Sequence, residues 1–356
     1  MHNPIPVAVL GATGSVGQRF IQLLTDHPWF TVVAVTGSER KVGRRYGDAC
    51  HWILPEAMPD WVKEMPITSS YASELDVPLV FSALPSHVAS EIEPRFAGGG
   101  AWVCSNASAF RQEADVPVLL PEINPEHLGL VELQKRNRNW SAGIVTNSNC
   151  TSTGIAVVLH VLNQYYGVEQ VFATSLQAIS GAGYPGVAAL DILDNVIPHI
   201  PGEEEKVELE TRKILGEFKD GYIVPSKIEI SAHTNRVAVS DGHTVCLSIG
   251  LREPCADLSQ AISKLREYQA PEASRGLPST PDPVIYYCAG DDRPQPRLDR
   301  MHGKGMSTGV GRLRVDPILD LKLVVLSHNT IRGAAGGSIY NAELLVQERY
   351  LSVSKT

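Results

Sequence analysis

The sequence predicts an α/β protein with two parts: an N-terminal doubly wound parallel sheet of the Rossmann type, and an α+β domain that contains a large mixed sheet. Two observations predict the first part. A glycine-rich turn directly follows the first apolar stretch, and apolar strands then alternate with helical stretches. The second part is predicted because most apolar stretches beyond Cys150 have the length and alternation of strands.

The first element is a buried strand, "VAVL", which is followed by the turn "GATGSVG" and a helix. Gly11, Gly14 and Gly17 interrupt the strand, and apolar residues then recur at helical spacing, as at Phe20 and Leu24. Such glycines allow a sharp turn and let a pyrophosphate approach the free N–H groups of a helix. The spacing G-x-x-G-x-x-G also suits a turn that binds nothing, so both interpretations stay open here.

Three further strands are predicted within "FTVVAV", "VPLVFSAL" and "GAWVCSNAS". The stretch "HVASEIEPRFAGG" has helical spacing and separates the last two. Strand, helix and strand in this order are typical of a parallel sheet, because parallel neighbours need a crossover connection.

The second part begins with a helix over "CTSTGIAVVLHVLNQYYG", in which Ile155, Val158, Leu159 and Leu162 share one face. The stretch "PGEEEKVELETRKILGEF" predicts a helix that is acidic first and basic later, and "NTIRGAAGGSIYNAELLVQERYL" predicts a last helix. Strands are predicted in "VEQVFATSLQAI", "KIEISAHTNRVAV", "TVCLSIGL", "VIYYCAG", "GVGRLRV" and "LDLKLVVLSH".

Composition excludes several classes of partner. The 356 residues are 43% hydrophobic and 20% charged, as in an ordinary soluble protein. The chain has 31 Lys and Arg residues and 39 Asp and Glu residues, so its net charge is −8. This negative charge argues against nucleic acid or an anionic membrane as partner. We see no apolar run long enough to span a bilayer and no signal-peptide pattern, so we expect a cytoplasmic protein.

The six cysteines are widely scattered, and none forms a C-x-x-C pair. We therefore expect free thiols in a reducing compartment, and no metal site. Cys104, Cys246 and Cys288 lie in apolar strands, where a cysteine usually serves as a small buried hydrophobic residue.

Cys150 differs from the other cysteines, because it lies in the polar stretch "TNSNCTST" between a predicted strand and a predicted helix. A helix N-terminus stabilises a thiolate and lowers the thiol pKa. Since thiolate is the nucleophilic form, we predict that Cys150 is a catalytic nucleophile with a lowered pKa.

A thiol nucleophile usually needs a base, and eleven histidines compete for that role. His243 follows Asp241 and Gly242 at the start of a predicted strand, where a side chain can project into a cleft. His233 is the local competitor, and spacing alone does not choose between them.

The end of the second predicted strand bears on the cofactor. An NAD enzyme often has an Asp or Glu here for the ribose 2′-hydroxyl, whereas this chain has Ser38, Arg40 and Lys41. A hydroxyl and cations suit the 2′-phosphate of NADP better. Because Glu39 is also present, NADP is favoured and NAD remains the alternative.

Seven motifs in one order carry a resemblance that covers almost the whole chain. They are "GATGSVG", "SNAS" followed by Arg111, "SNCT", "LQAISGAGYPG", "GEEEKVELET", "NRVAVSDGHT" and "NTIRGAAGG". Together they resemble the aspartate-semialdehyde dehydrogenase family in its archaeal and fungal branch. The resemblance implies an NADP-binding domain over 1–149 and 329–356, and a catalytic and dimerisation domain over 150–328, in a homodimer or homotetramer.

The resemblance also implies site residues. Cys150 would be the acyl-accepting nucleophile and His243 the acid/base. Substrate contacts would come from Arg111, Asn149, Gln177, Glu203, Lys206 and Arg236. Cofactor contacts would come from Gly11, Thr13, Gly14, Ser15, Val16, Ser38, Arg40, Lys41, Ser180, Gly181, Gly183 and Asn329. Without the resemblance, Glu203 and Lys206 would read as a solvated ion pair on a helix.

The implied reaction is the NADPH-dependent reductive dephosphorylation of L-aspartyl 4-phosphate through a cysteine thioester. Two alternatives remain open from the sequence. One is a related thioacyl reductase that acts on an N-acylglutamyl phosphate or malonyl-CoA. The other is a nucleotide-binding regulator that has lost catalysis, although the presence of both Cys150 and His243 argues against it.

Overall fold

The computed structural model describes residues 4–71 and 75–351. It confirms the predicted N-terminal sheet, which has seven strands in the order β3-β2-β1-β4-β5-β7-β6, and all of their pairings are parallel. The strands are β1 (Ile5–Leu10), β2 (Phe30–Gly37), β3 (Ile67–Ser69), β4 (Leu79–Ser82), β5 (Trp102–Ser105), β6 (Val118–Leu119) and β7 (Ile144–Asn147).

Eleven α-helices are present in the described residues, and the predicted long ones are confirmed. They are α1 (Ser15–Leu23), α2 (Tyr46–Ala49), α3 (Asp60–Lys63), α4 (Ser86–Gly98), α5 (Leu130–Arg138), α6 (Cys150–Tyr166), α7 (Ala189–Ile192), α8 (Glu203–Ile214), α9 (Leu258–Glu267), α10 (Pro296–Asp299) and α11 (Gly336–Gln347). A π-helical turn, Ile331–Ala335, directly precedes α11, where the sequence had predicted one continuous helix.

The second sheet is mixed, as predicted, and has six strands in the order β11-β8-β12-β15-β14-β13. Its outer pairs β11–β8 and β13–β14 are parallel, and the others are antiparallel. A separate hairpin is formed by β9 and β10. The strands are β8 (Val168–Gln177), β9 (Glu217–Lys219), β10 (Tyr222–Val224), β11 (Glu229–Arg236), β12 (His243–Leu251), β13 (Ile285–Cys288), β14 (Thr308–Val315) and β15 (Leu321–Ser327).

One face of the mixed sheet is covered by the apolar side of α6, and the other face is exposed. Inward residues such as Val171 and Leu247 are buried, whereas Phe172 is 56% exposed. Cys246 is also exposed on this outer face, so our expectation of a buried thiol there was wrong. The reason is the two-residue period of a strand, which turns Cys246 away from its buried neighbour Val245.

The segment after β15 returns to the N-terminal sheet. The carboxylate Oε1 of Glu343 on α11 lies 3.0 Å from His27 Nε2, next to α1. The Trp102 indole on β5 donates to the backbone oxygen of Tyr350 at 3.1 Å. The division into 1–149 with 329–356 and 150–328 stays a prediction, and residues 1–3, 72–74 and 352–356 lie outside the described part. No helix in that part is long and apolar enough to cross a membrane.

Candidate active site

One edge of the mixed sheet, where several strands end, brings together three of the predicted side chains. β8 ends at Gln177 and the parallel strand β11 ends at Arg236, and these two residues are paired in register. The antiparallel strand β12 begins at the same edge with His243, which pairs with Ser327 at the end of β15. Because neighbouring strand ends meet here, residues distant in sequence lie side by side.

Cys150 meets this edge from the N-terminus of α6. Its Sγ lies 3.2 Å from His243 Nε2, so the structure brings the predicted nucleophile and its predicted base together. Asn149 caps the helix, because its side chain accepts from the backbone N–H groups of Thr151 at 2.8 Å and Ser152 at 3.1 Å. The competing His233 is exposed on β11 and makes no such contact.

The second ring nitrogen of His243 indicates which tautomer is present. The backbone N–H of Ala178 donates to His243 Nδ1 at 3.1 Å, so Nδ1 acts as the acceptor. In the neutral ring the proton is then on Nε2 and points toward the Cys150 sulfur. This arrangement stabilises a thiolate by hydrogen bonding. Taking a proton at Nε2 would require the other tautomer and would cost the Ala178 hydrogen bond, about 1–3 kcal/mol.

The electrostatics of the pair correct our expectation of a lowered thiol pKa. Burial, reinforced by the nearby Glu203 carboxylate, raises the pKa of Cys150 to about 12, although Arg111 and Arg236 oppose the shift. Burial, together with the nearby Arg236 charge, lowers the pKa of His243 to about 3. At neutral pH the pair therefore consists of a thiol and a neutral imidazole. The cost of desolvating a thiolate outweighs the stabilisation that the N-terminus of α6 gives it.

Three predicted substrate residues form a hydrogen-bonded cluster beside the thiol. The Glu203 Oε1 atom accepts from Asn149 Nδ2 at 2.8 Å and from Gln177 Nε2 at 3.3 Å. Lys206, one turn further along α8, places its Nζ 3.8 Å from Glu203 Oε2. Glu203 is buried, so the interpretation as a solvated ion pair does not describe it.

Arg236 is buried at the sheet edge and directed by the backbone. Its Nη1 donates to the Ala178 oxygen at 2.8 Å, so Ala178 orients both Arg236 and His243. Gly181 packs over both side chains. A Cβ at Gly181 would lie 2.7 Å from Arg236 Nη1 and 3.2 Å from His243 Nε2. A larger residue there would push against the site.

Arg111 is held by a residue that the sequence reasoning missed. Its Nη1 lies 3.2 Å from Glu210 Oε1, and its Nη2 donates to the Asn106 oxygen at 2.6 Å. The other oxygen of Glu210 accepts the backbone N–H of Asn149 at 2.6 Å. The signal was available, because position 210 is seven residues after Glu203 and so lies on the same face of a helix.

The π-helical turn packs directly on the nucleophile. A Cβ at Gly333 would lie 2.6 Å from Cys150 Cβ and 2.9 Å from its Cα. Real Cβ atoms do not approach so closely, so only glycine fits without moving Cys150. The motif "RGAAGG" therefore contributes a glycine to the site, which its small-residue composition had not revealed.

The glycine-rich turn has the features of a dinucleotide site. Gly11 has a positive φ of 69°, and a Cβ there would lie 2.8 Å from the Ala83 oxygen. Gly14 is the N-cap of α1 and has no side-chain cap, so the N–H groups of the first turn, at Ser15 and Val16, face no capping side chain. A pyrophosphate fits this terminus chemically.

The predicted ribose-phosphate residues follow β2. Ser38 and Arg40 are exposed, and Lys41 reaches back so that its Nζ donates to Thr13 Oγ1 at 3.1 Å. Glu39, which had left NAD as an alternative, accepts from Ser69 Oγ at 2.6 Å. The cationic group of Lys41 thus lies next to the glycine-rich turn.

A cavity of about 380 Å³ lies between the two domains, and its walls include Ser15, Ser180 and Gly183. The Ser180 hydroxyl accepts from Asn329 Nδ2 at 2.8 Å. The Asn329 Oδ1 atom accepts from the Gly242 N–H at 2.8 Å, one residue before His243. Ser180 and Gly183 thus border the same cleft as the start of α1, and Asn329 contacts one of them. We find no group of three or more metal-ligating side chains within residues 4–71 and 75–351.

Two family models match most of the chain. The model described as "Semialdehyde dehydrogenase, NAD binding domain" matches residues 6–131. The model described as "Semialdehyde dehydrogenase, dimerisation domain" matches residues 159–332.

Individual relatives agree with these models. The aspartate-semialdehyde dehydrogenase of Archaeoglobus fulgidus is 48% identical, and the alignment covers 97% of this chain and 99% of that protein. The enzyme of the same name from Saccharomyces cerevisiae is 43% identical over 95% of this chain and 96% of that protein. The crystal structure of the Candida albicans enzyme with NADP matches with a TM-score of 0.89 and 42% identity, over 98% of this chain and 100% of that one.

Proposed function

We propose that this chain, which belongs to the aspartate-semialdehyde dehydrogenase family, catalyses the reductive dephosphorylation of L-aspartyl 4-phosphate to L-aspartate 4-semialdehyde. The protein is an NADP-dependent phosphorylating aldehyde dehydrogenase of aspartate-family amino-acid biosynthesis, which leads to lysine, threonine and methionine. The observation that carries the proposed mechanism is the distance of 3.2 Å between Cys150 Sγ and His243 Nε2.

In the first step the sulfur of Cys150 attacks the acyl carbon of the substrate. The new S–C bond replaces the C–O bond to phosphate, which leaves and yields a thioester on Cys150. The backbone N–H of Cys150, at the start of α6, is proposed to stabilise the negative charge that develops on the acyl oxygen. The departing phosphate takes up the thiol proton, and the Nε2–H of the neutral His243 donates a hydrogen bond to the sulfur as it attacks.

When bound, NADPH supplies the hydride that reduces the thioester carbon. The residues proposed to hold it are those of the glycine-rich turn, of the loop after β2, and of the segment Ser180–Gly183 with Asn329. The resulting hemithioacetal on Cys150 then collapses, which releases the aldehyde and restores the sulfur. In this step His243 transfers the hydroxyl proton of the hemithioacetal to the departing sulfur. The cost of changing the tautomer of His243 is small beside the barrier of the uncatalysed reaction.

The remaining residues are proposed to bind the two ends of the substrate. Arg236 suits the substrate carboxylate, because a guanidinium binds both carboxylate oxygens in one plane. Glu203 would face the amino group, and Arg111 with Lys206 would bind the phosphate. Asn149, which contacts Glu203 beside the thiol, would orient the reacting carbonyl, and Gln177 would do so with it.

This constellation distinguishes the proposed substrate from those of related thioacyl reductases. A substrate with a free amino group and a free carboxylate requires both a carboxylate and a guanidinium in the site. Glu203 contacts the residue next to Cys150, and Arg236 shares Ala178 with His243. An N-acylated substrate or malonyl-CoA would offer the buried Glu203 no ammonium group, so Glu203 would gain nothing from binding it.

A direct assay tests the function. The purified protein should reduce NADP⁺ only when aspartate semialdehyde and inorganic phosphate are both present, because phosphate must release the acyl group from Cys150. Absorbance at the NADPH band measures turnover, and malonate semialdehyde with coenzyme A serves as the comparison substrate. Equal or faster turnover of that comparison substrate would contradict the proposed specificity.

The exposed face of the mixed sheet is proposed to form a homodimer, which could pair again into a tetramer. Phe172 is 56% exposed on this face, and Cys246 and Val324 lie beside each other in neighbouring strands. A sheet face with such residues favours burial against a second copy. Light scattering should give at least twice the chain mass of 38.6 kDa, and a monomer would contradict the proposal. We also propose a cytoplasmic location, since all six cysteines are free thiols.

A further inference from the structure

We infer that Glu210 is a positioning residue, whose single carboxylate aligns the phosphate-binding Arg111 with the nucleophile Cys150. The inference rests on the proposed function, because it takes the roles of Arg111 and Cys150 from there. Glu210 itself does not contact the sulfur, and its negative charge does not favour contact with a phosphate. It acts through the two residues that it binds.

The contacts of Glu210 join the two groups. The residue is only 1% exposed, and its Oε2 atom accepts the backbone N–H of Asn149 at 2.6 Å. Its Oε1 atom lies 3.2 Å from Nη1 of Arg111. One buried carboxylate therefore fixes the guanidinium relative to the residue that directly precedes Cys150.

The hydrogen bond from the Asn149 N–H to Glu210 takes the place of one of the two hydrogen bonds of a capping box. In a capping box, the side chain at the third helical position accepts the N–H of the N-cap residue. In α6 that position is Ser152, whose hydroxyl is buried and has no hydrogen-bond partner in the part of the chain that the structure describes. Glu210 of α8 supplies the acceptor instead, so that the N–H of the N-cap residue Asn149 is bound from a different helix. The Asn149 side chain is fixed as well, since its Nδ2 donates to Glu203 at 2.8 Å.

The same helix also holds the backbone around Arg111. The Nζ atom of Lys213, three residues after Glu210, donates to the oxygens of Arg111 and Glu113 at 2.7 Å each and of Val116 at 2.9 Å. The Nε atom of Arg111 is buried and has no hydrogen-bond partner within residues 4–71 and 75–351. This N–H group is therefore available to an anion. The direction in which it points depends on the contact between Glu210 and Nη1 of the same guanidinium.

A simpler view of the charges predicts the opposite effect of Glu210. A carboxylate next to a phosphate site repels the phosphate and competes for Arg111, so its removal should tighten phosphate binding. If Glu210 positions Arg111, its removal should weaken phosphate binding instead. The sign of the change therefore separates the two explanations.

The test compares Glu210→Gln with Glu208→Gln in the phosphate-dependent oxidation of aspartate semialdehyde. A glutamine offers one oxygen and one NH₂ group, so it cannot accept from both Arg111 and Asn149, and one contact becomes donor against donor. We expect the KM for phosphate to rise about 10-fold to 100-fold, the effect of one lost charge-assisted hydrogen bond, and kcat to fall as well. Glu208 is the matched control, because it also lies on α8 and accepts a backbone N–H, that of Ala232, at 3.0 Å.

A second variant and a second readout keep the inference testable. Glu210→Asp retains the charge but shortens the side chain, so it should also raise the KM for phosphate, whereas pure charge competition would leave that KM unchanged. Alkylation of Cys150 by iodoacetamide gives a readout without turnover, in which Glu210→Gln should need at least about 10-fold more phosphate for half protection.

The outcomes are distinguishable. If the unmodified protein turns over but Glu210→Gln matches Glu208→Gln, or binds phosphate more tightly, the inference about Glu210 is wrong and the proposed function stands. If the unmodified protein does not turn over, the proposed function fails. The protection experiment then still decides whether Glu210 positions Arg111, since unchanged phosphate protection in Glu210→Gln would overturn it.

Discussion

Replacing Cys150 by alanine is expected to lower kcat by at least about 10,000-fold, because no neighbouring group can take the place of the sulfur as acyl acceptor. Asn149, which caps α6, and Gly333, which packs on residue 150, keep their contacts in this variant. The melting temperature should therefore stay close to that of the unmodified protein. Steady-state NADP⁺ reduction and calorimetry measure the two quantities.

Cys255→Ala is the matched control for this variant, since Cys255 is the other thiol of intermediate exposure. It should retain full activity. Trapping with substrate followed by mass spectrometry should place the acyl adduct on the peptide that contains Cys150. Retention of most of the activity in Cys150→Ala, or an adduct on another peptide, would show that the nucleophile is a different residue.

Replacing His243 by glutamine is expected to lower kcat by about 100-fold to 10,000-fold, the usual range for loss of a general acid or base. The glutamine amide can still donate a hydrogen bond toward the Cys150 sulfur, but it cannot transfer a proton. Steady-state kinetics with saturating phosphate measure the loss. The control is His233→Gln, which alters an exposed histidine on β11 and should leave kcat unchanged.

The pH profile gives His243 a second test. Because burial lowers the pKa of His243 to about 3, the ring stays neutral at every pH above about 4. In kcat/KM, which reports on the free enzyme, the acid limb near pH 6.5 that an ordinary histidine produces should therefore be absent. If His243→Gln retained the activity of the unmodified protein, the role of His243 would be hydrogen-bond donation to sulfur and not proton transfer.

The sequence was sufficient for the parts of the fold that depend on local pattern. The alternation of strands and helices and the long helix after Cys150 are periodic over many residues, and the structure confirms them. The strands Ile67–Ser69 and Val118–Leu119 were missed because two or three residues carry no periodicity. They exist because the neighbouring strands offer them free backbone hydrogen bonds.

The site shows the same division between local and tertiary information. Cys150 could be selected from its place before a helix, and His243 became the candidate through the order of motifs. The pKa of Cys150 could not be predicted, since it is set by burial and by Glu203, which approaches from a helix more than fifty residues away. Gly333 and Ala178 were missed for a related reason, because packing distance and backbone hydrogen bonds have no signature in a single sequence.

The packing of Gly333 on Cys150 has a consequence for how the enzyme matures. Cys150 and His243 are both translated well before the segment that contains Gly333 and α11. A nascent chain on the ribosome therefore holds the reactive thiol for some time without the segment that packs against it and anchors the cleft at Asn329. Catalytic competence is acquired late in synthesis, when this segment has folded back onto the N-terminal sheet and Cys150.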